Sequence, residues 1–168
     1  MNVDFRHAIS AALIGMGATL CIDLWALFLK RGFSITSLSY CLLGRWLLHM
    51  PSGTLVHPSI REATGKRHEC AVGWIAHYLI GTGFALLFVL LASGAWLERP
   101  TLIPALAFGV ATTVVPLFVM QPALGLGVAS SKAPDPAQAR LKSLGTHTVF
   151  GFGLFLWAVL LRPILLRT

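Results

Sequence analysis

Charged residues are scarce in this chain of 168 amino acids. Only 11% of the residues are Asp, Glu, Lys or Arg, whereas 56% are hydrophobic, and the mean hydropathy is +0.77. A soluble globular domain carries about 25% charged residues, so this composition excludes that class. We therefore expect a protein that is embedded in a membrane.

Cysteines are also few. The three cysteines, Cys21, Cys41 and Cys70, are odd in number. None of them shows the close spacing that is typical of zinc sites or of redox motifs. On this basis we expect no disulfide framework.

The chain is rich in long apolar runs. A helix needs about 20 apolar residues to cross about 30 Å of hydrocarbon. Four runs reach that length, at about 9–29, 74–97, 102–120 and 144–161. The first run ends in Lys30-Arg31 rather than in a small-residue cleavage site, so we interpret it as a retained helix and not as a secretory signal. The predicted fold is an all-α, polytopic four-helix membrane bundle that forms one domain over residues 1–168.

The second and fourth runs share a pattern of one histidine and two glycines. The matched residues are His77, Gly81 and Gly83 in one run, and His147, Gly151 and Gly153 in the other. This similarity predicts an internal repeat, in which two helical hairpins are related as parallel copies. The glycines permit close helix packing, as small residues do in membranes.

A shorter amphipathic segment lies in the first long loop. Residues 36–50 carry apolar side chains at helical spacing, with Arg45 and His49 four residues apart on another face. Because 15 residues are too few to cross a bilayer, we predict a helix that lies in the membrane interface.

The basic residues are unevenly distributed. Nine of the thirteen lie in the loops that follow the first and third runs: Lys30, Arg31, Arg45, Arg61, Lys66, Arg67, Lys132, Arg140 and Lys142. By the positive-inside rule that side is cytoplasmic, which predicts a protein of the bacterial inner membrane with both termini in the periplasm. A basic patch beside a membrane predicts attraction to anionic lipid headgroups rather than binding of nucleic acid.

Each of the four runs contributes one polar side chain near its cytoplasmic end. These residues are Asp23, His77, Gln121 and His147. An ionisable group inside a bilayer costs a few kcal/mol, so each one calls for a reason. The runs contain no acid, base or amide side chain toward their other ends. The pattern therefore predicts a site that opens on one side of the membrane.

A metal ion is the leading hypothesis for this site. Carboxylate and imidazole are usual ligands of zinc, iron or manganese, and three ligands with an open position describe a catalytic site. The predicted ligands are Asp23, His77 and His147, with His57 and Glu69 from the loop as caps. Two histidines at equal depth could instead bind haem from its two faces, which is the less favoured cofactor.

Three further hypotheses need no metal. Asp23 and a histidine could act as general acid and base on a lipid-like small molecule, with Arg45, Gln121, Lys132 and Arg140 as the anion-binding residues. Alternatively, the chain could be a proton-coupled carrier that completes its pathway as a homodimer. The polar residues could also serve structure alone, by hydrogen bonds that hold helices together in a subunit of a larger membrane complex.

Several stretches together resemble a known family. They are GATLCIDLW, GRWLLHMPSG, VHPSI, GWIAHYLIG, FVMQPALGLGVASSKAPDP and ARLKSLGTHTVFGFGLFLW. They are similar to the bacterial integral-membrane family DUF2938, and the resemblance covers nearly the whole chain. It implies a four-helix protein of the inner membrane, and it implies no activity.

Overall fold

The computed structural model describes residues 5–165, and this part of the chain contains helices and no strand. The α-helices are α1 (Phe5–Phe33), α2 (Tyr40–His49), α3 (Glu69–Ala92), α4 (Ala95–Glu98), α5 (Leu102–Thr112), α6 (Gln121–Ala123) and α7 (Pro136–Leu165). Short 3₁₀ helices lie at Met50–Ser52 and Val128–Ser130, and a π-helical turn lies at Pro116–Met120.

Four segments are long and apolar enough to cross a membrane: Arg6–Phe33, Glu69–Ala92, Leu102–Ala123 and Pro136–Pro163. For residues 5–165, the all-helical class and the presence of four helices long and apolar enough to span a membrane are therefore confirmed. The bundle arrangement and the parallel hairpins stay predictions.

The predicted boundaries differ from the observed ones at breaks in the helices. The second run does not continue to residue 97, because α3 ends at Ala92 and Ser93 adopts a φ of 61°. The third segment changes to π-helical geometry at Pro116, a residue with no N–H to donate. Helix α7 begins earlier than predicted, since Asp135 caps it by accepting a hydrogen bond from the backbone N–H of Gln138.

The chain divides into two compact units, which are described separately. The first unit comprises Met1–Ile35, Tyr78–Thr112 and Thr146–Thr168, and the second comprises Thr36–His77 and Thr113–Gly145. The second unit therefore contains both of the loops that the charge pattern assigns to one side of the membrane.

The first unit has an apolar core and apolar outer surfaces. Its buried core residues include Ile14, Phe88, Phe150 and Leu154. Exposed apolar residues recur at helical spacing along α1, at Ile9, Leu13, Met16, Leu20, Leu24 and Leu27. A helix with an apolar outer stripe is suited to contact with lipid.

Small residues set the closest contacts between helices of the first unit. A Cβ on Gly81 would lie 1.9 Å from Thr19 Oγ1, and one on Gly153 would lie 2.8 Å from the Cα of Ala18. Gly151 meets α5 at Ala105, whereas Gly83 faces open space. The glycines of the two similar runs therefore have different surroundings, and the predicted internal repeat gains no support from them.

In the second unit, α2 crosses the first turns of α3 at very short range. A Cβ on Gly44 would lie 1.8 Å from the carbonyl oxygen of Glu69, and one on Gly73 would lie 1.8 Å from that of Tyr40. Helix α2 begins after Ser39, whose hydroxyl accepts a hydrogen bond from the backbone N–H of Cys41. The predicted short helix in the first loop is thus present, and it is shorter than residues 36–50.

Candidate functional site

In the first unit, Asp23 of α1 accepts a hydrogen bond from Tyr78 of α3. The distance from Tyr78 Oη to Asp23 Oδ2 is 2.8 Å. A carboxylate in a membrane segment is costly without such a partner. Tyr78 was not predicted from the sequence, because a tyrosine in an apolar helix does not by itself indicate a hydrogen-bond partner.

His147 of α7 pairs with α5. Its Nδ1 lies 2.8 Å from Thr112 Oγ1, and that hydroxyl donates its hydrogen to the carbonyl oxygen of Gly109 at 2.6 Å. Because the hydroxyl hydrogen is used, Nδ1 of His147 carries the proton and donates it to Thr112. The arrangement ties two helices together, as the structural hypothesis requires.

The helix contacts give the relative depths of these groups. Asp23 lies four residues beyond Thr19, Tyr78 lies three before Gly81, and His147 lies six before Gly153. The reference points are the close contacts of Gly81 with Thr19 and of Gly153 with Ala18. At 1.5 Å per residue, Asp23, Tyr78 and His147 lie about 6, 4.5 and 9 Å along their helices from these contacts. The three side chains therefore lie within about one helical turn of each other in depth.

In the second unit, His77 stacks on an aromatic ring of α2. The ring centroids of His77 and Tyr40 are 4.0 Å apart, with 21° between the ring planes. The edge of Trp74 also approaches His77, with the centroids 6.1 Å apart. One face of the imidazole is thus covered by Tyr40.

Arg45 and Glu69 form a bidentate ion pair between α2 and α3. Arg45 Nε lies 2.9 Å from Glu69 Oε2, and Arg45 Nη2 lies 2.8 Å from Glu69 Oε1. The remaining nitrogen of Arg45 donates to the carbonyl oxygens of Ile60 and Ala63, at 3.2 and 3.0 Å, and of Arg61 at 3.3 Å. All three guanidinium nitrogens are therefore engaged with the protein, which favours a structural role for the pair.

A disulfide joins Cys41 of α2 to Cys70 in the first turn of α3. We expected no disulfide framework from the cysteine spacing, and this disulfide corrects that expectation. The two cysteines are 29 residues apart and come together through the crossing of Gly44 and Gly73, which leaves no local pattern in the sequence. Cys21 is a free cysteine.

The two loops of the second unit are joined by backbone hydrogen bonds. The N–H of His57 donates to the carbonyl oxygen of Ala123 at 2.8 Å, and the N–H of Ile60 donates to that of Leu124 at 3.1 Å. Gly125, with a φ of +87°, lies directly against Pro58, and a Cβ there would be 2.2 Å from the Pro58 carbonyl oxygen. Only glycine fits that position.

A cavity of about 600 Å³ lies between these loops, and we call it the loop pocket. Its lining consists of Val56, His57, Pro58, Pro122, Gly125, Gly127, Val128, Ser131 and Lys132. The walls are mainly apolar, and the polar groups are one histidine, one serine and one lysine. The lining therefore combines apolar surface with three polar side chains.

His57 is the buried polar residue of the loop pocket. Its exposed fraction is 6%, and its Nε2 has no hydrogen-bond partner. Burial, with a smaller contribution from His49, lowers the pKa of His57 below its usual 6.5. The imidazole is therefore neutral at physiological pH, and one of its nitrogens has its hydrogen-bonding capacity unused.

The other predicted anion-binding residues occupy different positions. Gln121 is buried, and its Oε1 accepts a hydrogen bond of 2.6 Å from Ser130. Arg140 donates from Nε to the carbonyl oxygen of Ala129 at 2.8 Å, and so braces the same loop. Lys132 alone of the four lines the loop pocket.

The metal hypothesis finds no geometric support. Within the described part of the chain, no three or more His, Cys, Asp or Glu side chains form a group that could hold a metal ion. Of the predicted ligands, His147 pairs with Thr112 and Glu69 with Arg45. The ligand set Asp23, His77, His147, His57 and Glu69 stays a prediction from the sequence.

The buried His57 predicts a pH dependence of stability. Because the unfolded chain binds a proton near pH 6.5 and the folded site does so only at lower pH, stability falls as the pH drops through 6.5 toward the lowered pKa. We expect His57→Asn to reduce this loss, by at most about 1.4 kcal/mol per pH unit. Thermal unfolding in detergent between about pH 7.5 and pH 5 measures the difference.

His68→Asn provides the control for this measurement, because His68 is exposed in the same loop. It should leave the pH dependence of the wild-type protein unchanged. An identical pH dependence in His57→Asn and wild type would contradict the assignment of a buried neutral His57.

Comparison with known protein families identifies a match over most of the chain. Residues 12–161 match the family described as "Protein of unknown function (DUF2938)". No curated protein and no solved structure matches the chain. The match covers most of the chain and confirms the resemblance seen in the sequence.

Proposed function

Since this chain belongs to the DUF2938 family of proteins of unknown function, we propose a function from its own geometry. It is a membrane protein that binds an amphipathic, anionic small molecule in the loop pocket. The ligand class is a carboxylate or phosphate group attached to an apolar body. The loop pocket supports this proposal because it combines apolar walls, a lysine and a buried histidine with an unpartnered nitrogen.

The apolar part of the ligand fits the walls of the pocket. Val56 and Val128 line the pocket, yet they are 66% and 56% exposed. Apolar surface that stays in contact with water gains about 25 cal/mol for each Å² that a ligand covers. An alkyl chain or ring system over these residues would therefore stabilise the complex.

The anionic part of the ligand fits the polar groups of the pocket. Lys132 supplies a positive charge and three hydrogen-bond donors, and Ser131 supplies a hydroxyl. The surrounding chain carries thirteen basic residues and six acidic ones, which attracts anions over a longer range.

The position of the loops supports a ligand that comes from the lipid phase. The pocket is built from segments that connect candidate spans in the sequence, since His57 lies between α1 and α3 and Gly125 follows the span that ends at Ala123. By the charge distribution, we assign this side to the cytoplasm of an inner-membrane protein with periplasmic termini. Anionic lipid headgroups then lie beside the pocket.

Binding of dodecyl phosphate tests the proposal. Native mass spectrometry of the protein, released from micelles of a neutral detergent, should show one saturable equivalent of this probe. We expect Lys132→Gln to weaken binding about tenfold or more, because a hydrogen bond to a charged group contributes about 1.5–3 kcal/mol. Inorganic phosphate as competitor separates a soluble anion from a lipid-like one.

Lys66→Gln is the matched control, since it removes the same charge from an exposed side chain that does not line the pocket. It should bind the probe as the wild type does. If both variants lose affinity equally, the charge acts from a distance and the pocket is not the site. Absence of saturable binding to the wild type would refute the proposed function.

The hydrogen bonds of Asp23 and His147 favour a structural role for these residues over the alternatives from the sequence. Asp23 and His147 each have a hydrogen-bond partner on a neighbouring helix. Such pairs satisfy buried polar groups and fix helix packing in a membrane. A homodimeric carrier, a haem protein and a metal-dependent enzyme stay predictions with no observation that favours them.

A further inference from the structure

We propose that the Cys41–Cys70 disulfide is a reversible redox switch that controls how rigidly one wall of the loop pocket is held. The bond closes a loop of the chain that contains Val56, His57 and Pro58, which form one wall of that pocket. The regulatory meaning of the switch rests on the proposed function, whereas its effect on the wall does not.

A continuous set of contacts connects the disulfide to the pocket wall. Cys41 lies one helical turn before Arg45, and Cys70 directly follows Glu69, so the disulfide and the ion pair join α2 to α3 at adjacent positions. Arg45 Nη1 donates a hydrogen bond to the carbonyl oxygen of Ile60. The N–H of Ile60 in turn bonds to Leu124, beside the bond between His57 and Ala123.

The distribution of basic residues along the chain indicates that the disulfide is reversible. The loops that contain the cysteines carry most of the basic residues, which assigns them to the cytoplasm. Thiols are kept reduced there, and cytosolic disulfides are usually transient, catalytic or redox-sensing. Cys70 is exposed and lies in the first turn of a 24-residue helix, where a thiolate is stabilised and accessible to exchange.

The switching reaction is a thiol–disulfide exchange. A thiolate of the reductant attacks one sulfur of the Cys41–Cys70 bond, forms a mixed disulfide and releases the other cysteine as a thiolate. A second thiol of the reductant then displaces the remaining cysteine. Two electrons and two protons pass to the protein, and the reductant, a dithiol or two monothiols, leaves as its own disulfide. An oxidised thiol compound of the same class reverses the reaction.

Reduction should loosen the pocket wall without unfolding the protein. The glycine crossing and the ion pair still hold α2 to α3 after the covalent bond is broken. The loop of residues 42–69 then regains conformational freedom, because the cross-link no longer limits it. The bonds of His57 and Ile60 to the second loop should open more often.

Hydrogen–deuterium exchange of the purified protein tests the effect on the wall, with and without dithiothreitol. We expect the amides of residues 53–64 to exchange several-fold faster after reduction. The double variant Cys41→Ser/Cys70→Ser should show the fast exchange in both conditions, and Cys21→Ser should behave as the wild type. Unchanged exchange in these segments after complete reduction, verified by thiol alkylation and mass, would overturn the proposal.

Alkylation of thiols in intact cells tests reversibility. Acid quenching followed by alkylation should find Cys41 and Cys70 mainly reduced in growing cells and oxidised after treatment with diamide. A bond that is fully formed in untreated cells would overturn the switch and mark a permanent cross-link in an oxidising compartment. Neither readout uses dodecyl phosphate, so failure of that probe to bind would count against the proposed function alone.

Discussion

Replacing Gly44 by alanine should destabilise the protein by about 3 kcal/mol, near the upper end of the range for overpacking. The added Cβ would lie 1.8 Å from the carbonyl oxygen of Glu69 and 2.6 Å from the backbone nitrogen of Gly73. Both are backbone atoms of α3, so no flexible side chain can move away. The two helices must separate, which strains every contact between them.

Thermal unfolding in detergent measures this effect. For a chain of this size, 3 kcal/mol corresponds to a decrease in Tm on the order of 10 °C. Gly83→Ala is the matched control in α3, because a Cβ at that position meets nothing within 4 Å. Alanine has a higher helix propensity than glycine, so the Gly83→Ala control should be neutral or slightly stabilising. Equal losses in the two variants would mean that α2 and α3 do not cross as closely as described.

The fold class could be predicted because it depends on composition and on the length of apolar runs. A chain with 11% charged residues and four runs of about 20 apolar residues has few alternatives to a helical membrane protein. The boundaries depend on finer detail. Ser93 ends α3 within a run that is apolar on both sides, and hydropathy does not respond to one residue with positive φ.

The polar residues could be selected from the sequence, but their partners could not. Asp23 and His147 stood out because ionisable groups are costly in a bilayer. Their partners, Tyr78 and Thr112, lie 55 and 35 residues away, and tyrosine and threonine are common in apolar helices. The free-energy cost of an ionisable group in the bilayer identifies a residue that needs a hydrogen-bond partner. Which residue becomes that partner depends on how the helices pack.

The loop pocket illustrates a second limit. His57 and Lys132 were both selected for their chemistry, as a metal ligand and as an anion-binding residue, and the structure brings both to the lining of one cavity. The sequence could not reveal this, because the loops are joined through backbone groups of His57, Ile60, Ala123 and Leu124. Backbone pairing between irregular segments has no side-chain period. The cysteine pair escaped detection because its two helices meet through the crossing of Gly44 and Gly73, which leaves no spacing signal in the sequence.

Loss of the ion pair between Arg45 and Glu69 should also reduce the stability of the protein strongly. Arg45→Met should cost about 3 kcal/mol, because it removes the guanidinium donor from the carbonyl oxygens of Ile60 and Ala63 and from the Glu69 carboxylate. Among the described residues, the carboxylate then keeps only its hydrogen bond from the backbone N–H of Lys66. Both side chains of the pair are only 16% exposed, so water compensates poorly. Glu69→Met leaves Arg45 charged but still bonded to the loop, and its cost should be smaller.

A double-mutant cycle separates the pair from the loop contacts. Thermal unfolding of Arg45→Met, Glu69→Met and the double variant should give a coupling energy of about 1–3 kcal/mol, since residues that share one network are not additive. Arg67→Met, a change at an exposed position close to Glu69, should lie within about 0.5 kcal/mol of the wild type. Additive losses would show that the ion pair contributes no stability. Arg45 would then act only through the carbonyl oxygens of the loop, and the path from the disulfide to the loop pocket would not require Glu69.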